Sequence, residues 1–272
     1  MEFNSTKFEV IQYGNHESMK SSSNYKSPNG SSIPTKSSLK DLGVMLSDTG
    51  SFDVQIQSVI KKVSSMLGWI YRTFKTRHPQ PMLTLYKSLV RSPLEYACPL
   101  WSPTKASQIA ALEAVQRSFT RKIVTLCGAD RPDYWSRLQI LGLQSLQRRR
   151  ERYLVLYIFK IINELVPNPG IIWSTNPRTG IHAQVQEIKA HASAQVRQLR
   201  SSSLSYHGAK TFNCLPIPLC SFMCDNERSP TLEAYKRKLD KFLSTVPDQP
   251  TVPGLLRAAD SNQLIDQVTR CH

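Results

Sequence analysis

Apolar residues fall at helical spacing along much of the chain. Phe52, Ile56, Ile60, Val63, Leu67, Ile70 and Phe74 recur at three- and four-residue steps, which predicts an amphipathic helix with Ser51 placed to cap it. Lys61, Lys62, Arg72 and Lys75 lie off that stripe. A second helix is predicted from about Pro81 to Leu94 through Met82, Tyr86, Leu89 and Val90, bent or ended by Pro93. A third opens at Ser102-Pro103, a cap followed by a first-turn proline, and carries Ile109, Leu112, Val115, Phe119 and Ile123 on one face, with Gly128 as its stop. After a short helix near Tyr134 to Ile140, a fourth is expected from about Leu146 to Leu165. It is basic at its start (Arg148, Arg149, Arg150, Arg152) and apolar later, through Tyr153, Leu156, Phe159 and Ile162. The plain reading of each stripe is core packing.

Between these helices the pattern is weaker. Phe8 to Tyr13 reads as a short strand ended by Gly14, and Leu39 to Leu46 as another, interrupted by Gly43. Asn15 to Ser38 is loop chemistry, rich in Ser, Asn, Lys, Gly and Pro. From Pro167 to Cys224 only a helical stretch around Gln184 to Arg197 stands out. Ser229-Pro230 then opens a last helix through Leu232, Tyr235, Leu239 and Phe242. The expected organisation is 1–50 with the strands and the Ser-rich loop, 51–166 as a helical domain, 167–246 as a C-terminal region, and 247–272 as a disordered tail. The fold class is mainly α, a basic helical bundle preceded by a short two-strand β element.

Charge sharpens this picture. The 272 residues hold 35 Lys+Arg against 20 Asp+Glu, a net charge of +15, and with 40% apolar residues the chain belongs to the globular class. The excess has a location. Between Gln55 and Lys160 stand eighteen Lys/Arg but only Glu95, Glu113, Asp130, Asp133 and Glu151 as acids. A folded basic region concentrates polyanions, and phosphate contacts release counterions, so nucleic acid is the expected partner. Tyr153 to Ile162, nearly apolar but carrying Lys160, falls far short of a membrane span. No secretory signal is read after Met1, and six thinly spread cysteines suit an intracellular protein, nuclear or cytoplasmic.

Candidate chemistry is sparse. Cys220 and Cys224 lack a second Cys or His pair at zinc-finger spacing, and Cys271-His272 lies at the terminus. There is no Walker-type loop and no GxSxG elbow. The aspartates are spread singly, whereas a two-metal polymerase needs carboxylates clustered around ions about 4 Å apart. Trp69, Trp101 and Trp135 could stack on bases, although buried packing is the commoner role.

Several runs in order resemble the reverse transcriptase of non-LTR (LINE-type, jockey-like) retrotransposons. They are Lys40-Asp41-Leu42-Gly43-Val44, Leu85-Tyr86-Lys87-Ser88-Leu89-Val90-Arg91-Ser92-Pro93-Leu94-Glu95-Tyr96-Ala97 and Pro99-Leu100-Trp101-Ser102-Pro103. They continue with Val115-Gln116-Arg117-Ser118-Phe119-Thr120-Arg121, Leu141-Gly142-Leu143 and Arg148-Arg149-Arg150 through Lys160-Ile161-Ile162-Asn163. Phe212-Asn213-Cys214-Leu215-Pro216 is similar to the family's Trp-Asn-Ser-Leu-Pro element, with Phe for Trp, and the last helix resembles its closing helix. The similarity covers roughly residues 1 to 245.

The resemblance implies the end of a polymerase palm followed by a thumb-like helical region. Lys7 would match the palm lysine thought to protonate leaving pyrophosphate, and Leu42-Gly43 the primer-grip turn. The thumb would pack on template–primer nucleic acid (RNA, DNA or their hybrid). Expected phosphate contacts are Lys61, Lys62, Arg72, Lys75, Arg117, Arg121, Arg148, Arg149 and Arg152. The family's Tyr-x-Asp-Asp motif precedes the matching segment and is not in this sequence, so no synthesis is expected from it alone. Mg2+ is expected only of a complete polymerase, with no cofactor or metal for these residues. The competing reading is a helical protein-interaction module or a remnant of a mobile element.

Overall fold

The computed structural model describes residues 7–14, 25–76, 78–126, 132–176, 178–221, 231–250 and 262–271. The chain is mainly helical with two small two-stranded sheets. It divides into two compact units, Met1–Val59 and Ile60–His272. The boundary expected near residue 166 falls inside the second.

In the first unit, β1 (Ser38–Asp41) and β2 (Val44–Ser47) pair antiparallel, with Ser38 opposite Ser47 and Asp41 opposite Val44. The expected single strand is therefore a hairpin. Leu42 and Gly43 turn it with φ of +43° and +89°, the doubly positive geometry whose twist matches the flanking strands. The strand expected at Phe8 to Tyr13 is instead one parallel bridge, Val10 to Thr35. Helix α1 (Asp53–Thr73) begins in this unit and continues into the second. Ser51 Oγ accepts the Asp53 amide at 3.2 Å, and Gln55 Oε1 accepts the Met45 amide at 2.8 Å, tying the first helical turn to the hairpin.

The second unit carries α2 (Pro79–Leu85), a π-helical segment Tyr86–Arg91, α3 (Ser92–Glu95) and α4 (Cys98–Trp101). The widened turns come just before Pro93, which has no N–H to donate and whose ring crowds the carbonyl of Leu89. Helix α5 (Ala106–Leu126) starts later than the Ser102-Pro103 signal, and Gly128 lies outside the described residues. Then come α6 (Tyr134–Ile140), capped by Asp133 on the Ser136 amide, and α7 (Leu146–Ile162), capped by Ser145 on the Arg148 amide.

Helix α7 is the centre of the unit. Leu146, Arg148, Arg150, Glu151, Leu154, Val155, Leu156, Ile158, Phe159, Ile161 and Ile162 are all buried, so it has no solvent face of ordinary width. Against it pack α3, α4 and α5. The elements that follow are the hairpin β3 (Trp173–Asn176) with β4 (Gly180–Ala183), α8 (Ala194–Ser201), a second π-helical segment Leu204–Gly208, α9 (Ala209–Asn213), α10 (Ile217–Cys220), α11 (Leu232–Thr245) and α12 (Leu264–Cys271). Of these, the π-helical segment, α9 and α11 also pack on α7. Phe159 stacks on Tyr235 with ring centres 3.9 Å apart, and the Tyr235 hydroxyl donates to the Leu219 carbonyl at 3.2 Å.

The β3–β4 hairpin had no signal in the sequence. It is held by Asn213, whose amide oxygen accepts from Ala183 N at 2.9 Å and whose amide nitrogen donates to Ala183 O at 2.8 Å. Gly180, at φ +83°, lies so close that a Cβ there would stand 2.8 Å from the Cys220 backbone. The helix expected at Gln184 to Arg197 forms later, as α8, with Ser193 as its cap. The cap of α11 is Thr231, Ser229-Pro230 lying outside the described residues.

The expectation of a disordered tail fails for its described part. Asp248 accepts from Ser145 N and Oγ at 2.7 Å each and from Asn262 Nδ2 at 2.7 Å. Glu151 Oε1 accepts the Leu264 amide at 3.0 Å, capping α12 from another element, and Leu264 and Val268 enter the core. Among the described residues no helix is long and apolar enough to cross a membrane.

Candidate nucleic-acid interface

From Val54 to Leu94 the sequence contains no carboxylate, while Lys61, Lys62, Arg72, Lys75, Arg77, Lys87 and Arg91 supply positive charge. Folding keeps part of that charge outside. The helical period turns Val63, Leu67 and Ile70 of α1 inward and leaves Lys61, Lys62, Ser65, Trp69 and Arg72 exposed, with Lys75 exposed just beyond the helix. None of these four cations has a carboxylate partner among the described residues.

Helix α5 adds to this surface. Arg121 and Lys122 are exposed, and the Lys122 ammonium sits 4.0 Å from the centre of the Tyr71 ring, linking α5 to α1. Arg117 lies half-buried with its guanidinium 4.7 Å from the Tyr134 ring centre. Arg137 donates to Pro132 O at 2.7 Å and Thr120 Oγ1 at 3.3 Å. Burial, then the positive charges of Arg121 and Arg117, lower the Arg137 pKa.

A buried network fixes the ring on which Arg117 rests. The Tyr134 hydroxyl donates to Glu113, Gln116 Nε2 donates to the Tyr134 oxygen at 3.0 Å, and the Tyr86 hydroxyl donates to Gln116 Oε1 at 2.7 Å. Burial holds the Glu113 carboxyl above its usual range, against the opposing pull of the Tyr134 hydrogen bond.

The arginines at the start of α7 have a different fate, and the expectation for them is corrected. Arg148 has no exposed surface. Its Nη2 donates to Pro247 O at 2.9 Å, and its Nε lies 3.8 Å from Glu151 Oε2. Arg149 is forked onto Glu95, with Nη2 to Oε2 at 3.0 Å, and Tyr153 donates to the same carboxylate at 3.1 Å. Arg150 donates to Leu94 O at 2.8 Å over the Trp101 ring. Arg152 pairs bidentately with Asp240, Nη2 to Oδ2 at 2.8 Å. A buried or bidentately paired guanidinium is poorly placed to meet a phosphate, because its existing bonds must break first.

Of the expected contacts, the structure gathers Arg72, Lys75, Arg117 and Arg121 with Lys61 and Lys62 on the second unit. Lys7 is exposed, and Leu42 and Gly43 form the hairpin turn, all in the first unit. Lys122 and Arg137 were missed; a single residue of helical phase separates Lys122 from Arg121. Trp69 is 44% exposed, whereas Trp101 and Trp135 are buried at 1% and 8%.

Little else offers chemistry. Among the described residues no three His, Cys, Asp or Glu side chains are grouped to hold a metal ion. Burial pushes the Cys98, Cys214 and Cys220 thiols up to about 12, far from thiolate reactivity. A cavity of about 120 Å³ beside Trp135, Leu143 and Asp248 is smaller than ordinary ligand pockets. The surface, rather than a cleft, is the candidate site. No family model, no curated protein and no solved structure matches this chain.

Proposed function

We propose that this chain corresponds to the palm-end and thumb region of a non-LTR retrotransposon reverse transcriptase, and that its helical unit holds template–primer nucleic acid without reading sequence. The motif series from Lys40 to the last helix suggests the family. The observation that carries the binding role is the set of exposed cations on α1 and α5 that no acidic residue neutralises among the described residues. Lys61, Lys62, Arg72, Lys75 and Arg121 are the contacts of this reading, with Arg117 as an inner member held over Tyr134. Contacts of this kind position a duplex by its phosphates, and an A-like RNA–DNA hybrid is recognised through backbone and shape.

The test is a titration of the full chain with a blunt RNA–DNA hybrid at several salt concentrations. Binding should weaken steeply with salt, by roughly 0.9 in log–log slope for each phosphate contact. No detectable binding at low salt, or an affinity indifferent to salt, overturns the reading.

A further inference from the structure

We propose that the exposed face of α1 from Lys61 to Arg72, continued by Lys75, is a single-strand nucleic-acid site in which Trp69 stacks on an unpaired base between cations that hold the flanking phosphates. The inference rests on the nucleic-acid reading above and narrows it to a place and a strand state. Lys62, Ser65, Trp69 and Arg72 follow one another at helical steps on the side away from Val63, Leu67 and Ile70. An indole on this side is at odds with its apolar surface. It meets Phe74 edge-on at 5.9 Å between ring centres and still keeps 44% of its surface in water.

The neighbouring residue is also unusual. Gly68 stands inside a 21-residue helix, where glycine is among the poorest choices. The Arg72 guanidinium uses the space: its Nη1 lies 3.3 Å from where a Cβ of residue 68 would be. The charge is thus laid back along the helix to the level of residue 68, next in sequence to the exposed indole. From Lys62 to Trp69 the helix rises about 10 Å, the length of roughly three stacked nucleotides.

This combination selects the partner. An acidic peptide or an anionic lipid headgroup could satisfy Lys61, Lys62, Arg72 and Lys75, but neither offers a flat π-face to an indole. A duplex hides its base faces in the stack, whereas a single strand exposes them, and aromatic platforms flanked by positive charge bind it with little sequence preference.

The experiment compares wild type, Trp69→Ala and Trp69→Phe as full chains, titrated with a mixed-sequence single strand, the blunt hybrid and polyglutamate, with thermal melts as a folding control. Trp69→Ala should weaken single-strand binding roughly five- to hundredfold, leave hybrid affinity within about twofold and leave the melt unchanged. Trp69→Phe should retain most of the single-strand affinity, and wild-type tryptophan emission should be quenched by the single strand. Equal weakening of both nucleic acids, no weakening of either, or polyglutamate bound as tightly as the single strand would each overturn the proposal. Wild type binding the single strand through Trp69 while ignoring the hybrid would support this site and sink the template–primer reading instead.

Discussion

Arg72 and Arg148 show how burial decides what the same side chain does. Arg72 lies over Gly68 at the surface, whereas Arg148 sits wholly inside, beside Glu151 and under the Pro247 carbonyl. Burial pushes the Glu151 carboxyl up to about 8, because the 3.8 Å approach of Arg148 Nε compensates only part of the lost hydration. A carboxyl with a raised folded pKa keeps its proton in the native state at pH values where the unfolded chain has released it. Its contribution to stability is complete below about 4.5, the ordinary value, and is lost as pH rises to about 8. The melting temperature should therefore carry a component that falls between those limits. Glu151→Gln, read by melts across the same range, should flatten that component; an unchanged pH profile would show that Glu151 titrates normally.

At the scale of elements, the amphipathic stripes of α1 and α5 were plain in the sequence, since one-sided burial writes a 3.6-residue period directly into it. Helix α7 was not. Its four arginines read as a polar face because the groups that absorb them lie far away in sequence: Glu95 is 54 residues from Arg149, and Asp240 is 88 from Arg152. The same distance hid β3 and β4, two four-residue strands with exposed side chains on one of them, anchored by Asn213 thirty residues on. The motif Phe212-Asn213-Cys214-Leu215-Pro216 has a structural role here: Phe212 and Leu215 are buried while Asn213 completes a strand edge. Asn213→Ala should destabilise the second unit by about 1–3 kcal/mol in denaturant titrations, the usual cost of leaving backbone donors and acceptors without partners. A loss below about 0.5 kcal/mol would mean that water replaces the amide freely.

For the whole molecule, a net charge of +15 sets the sign of the long-range field, but the folded surface sets how many cations can meet phosphates. Replacing Lys61 and Lys62 together by Gln should cut the salt slope of hybrid binding by roughly two, about 0.9 for each phosphate left without its lysine. The melting temperature should not change, since both side chains are exposed. A slope equal to wild type would move the interface away from α1. The sequence by itself determined the helical class, the stripes that build α1 and α5, and the acid-free run from Val54 to Leu94, because periodicity and composition are local properties. Tertiary structure alone decided which arginines stay in water and that residues 262–271 fold back against α7. Those outcomes depend on which distant carboxylates, carbonyls and apolar faces are brought against each residue, and no local pattern encodes that.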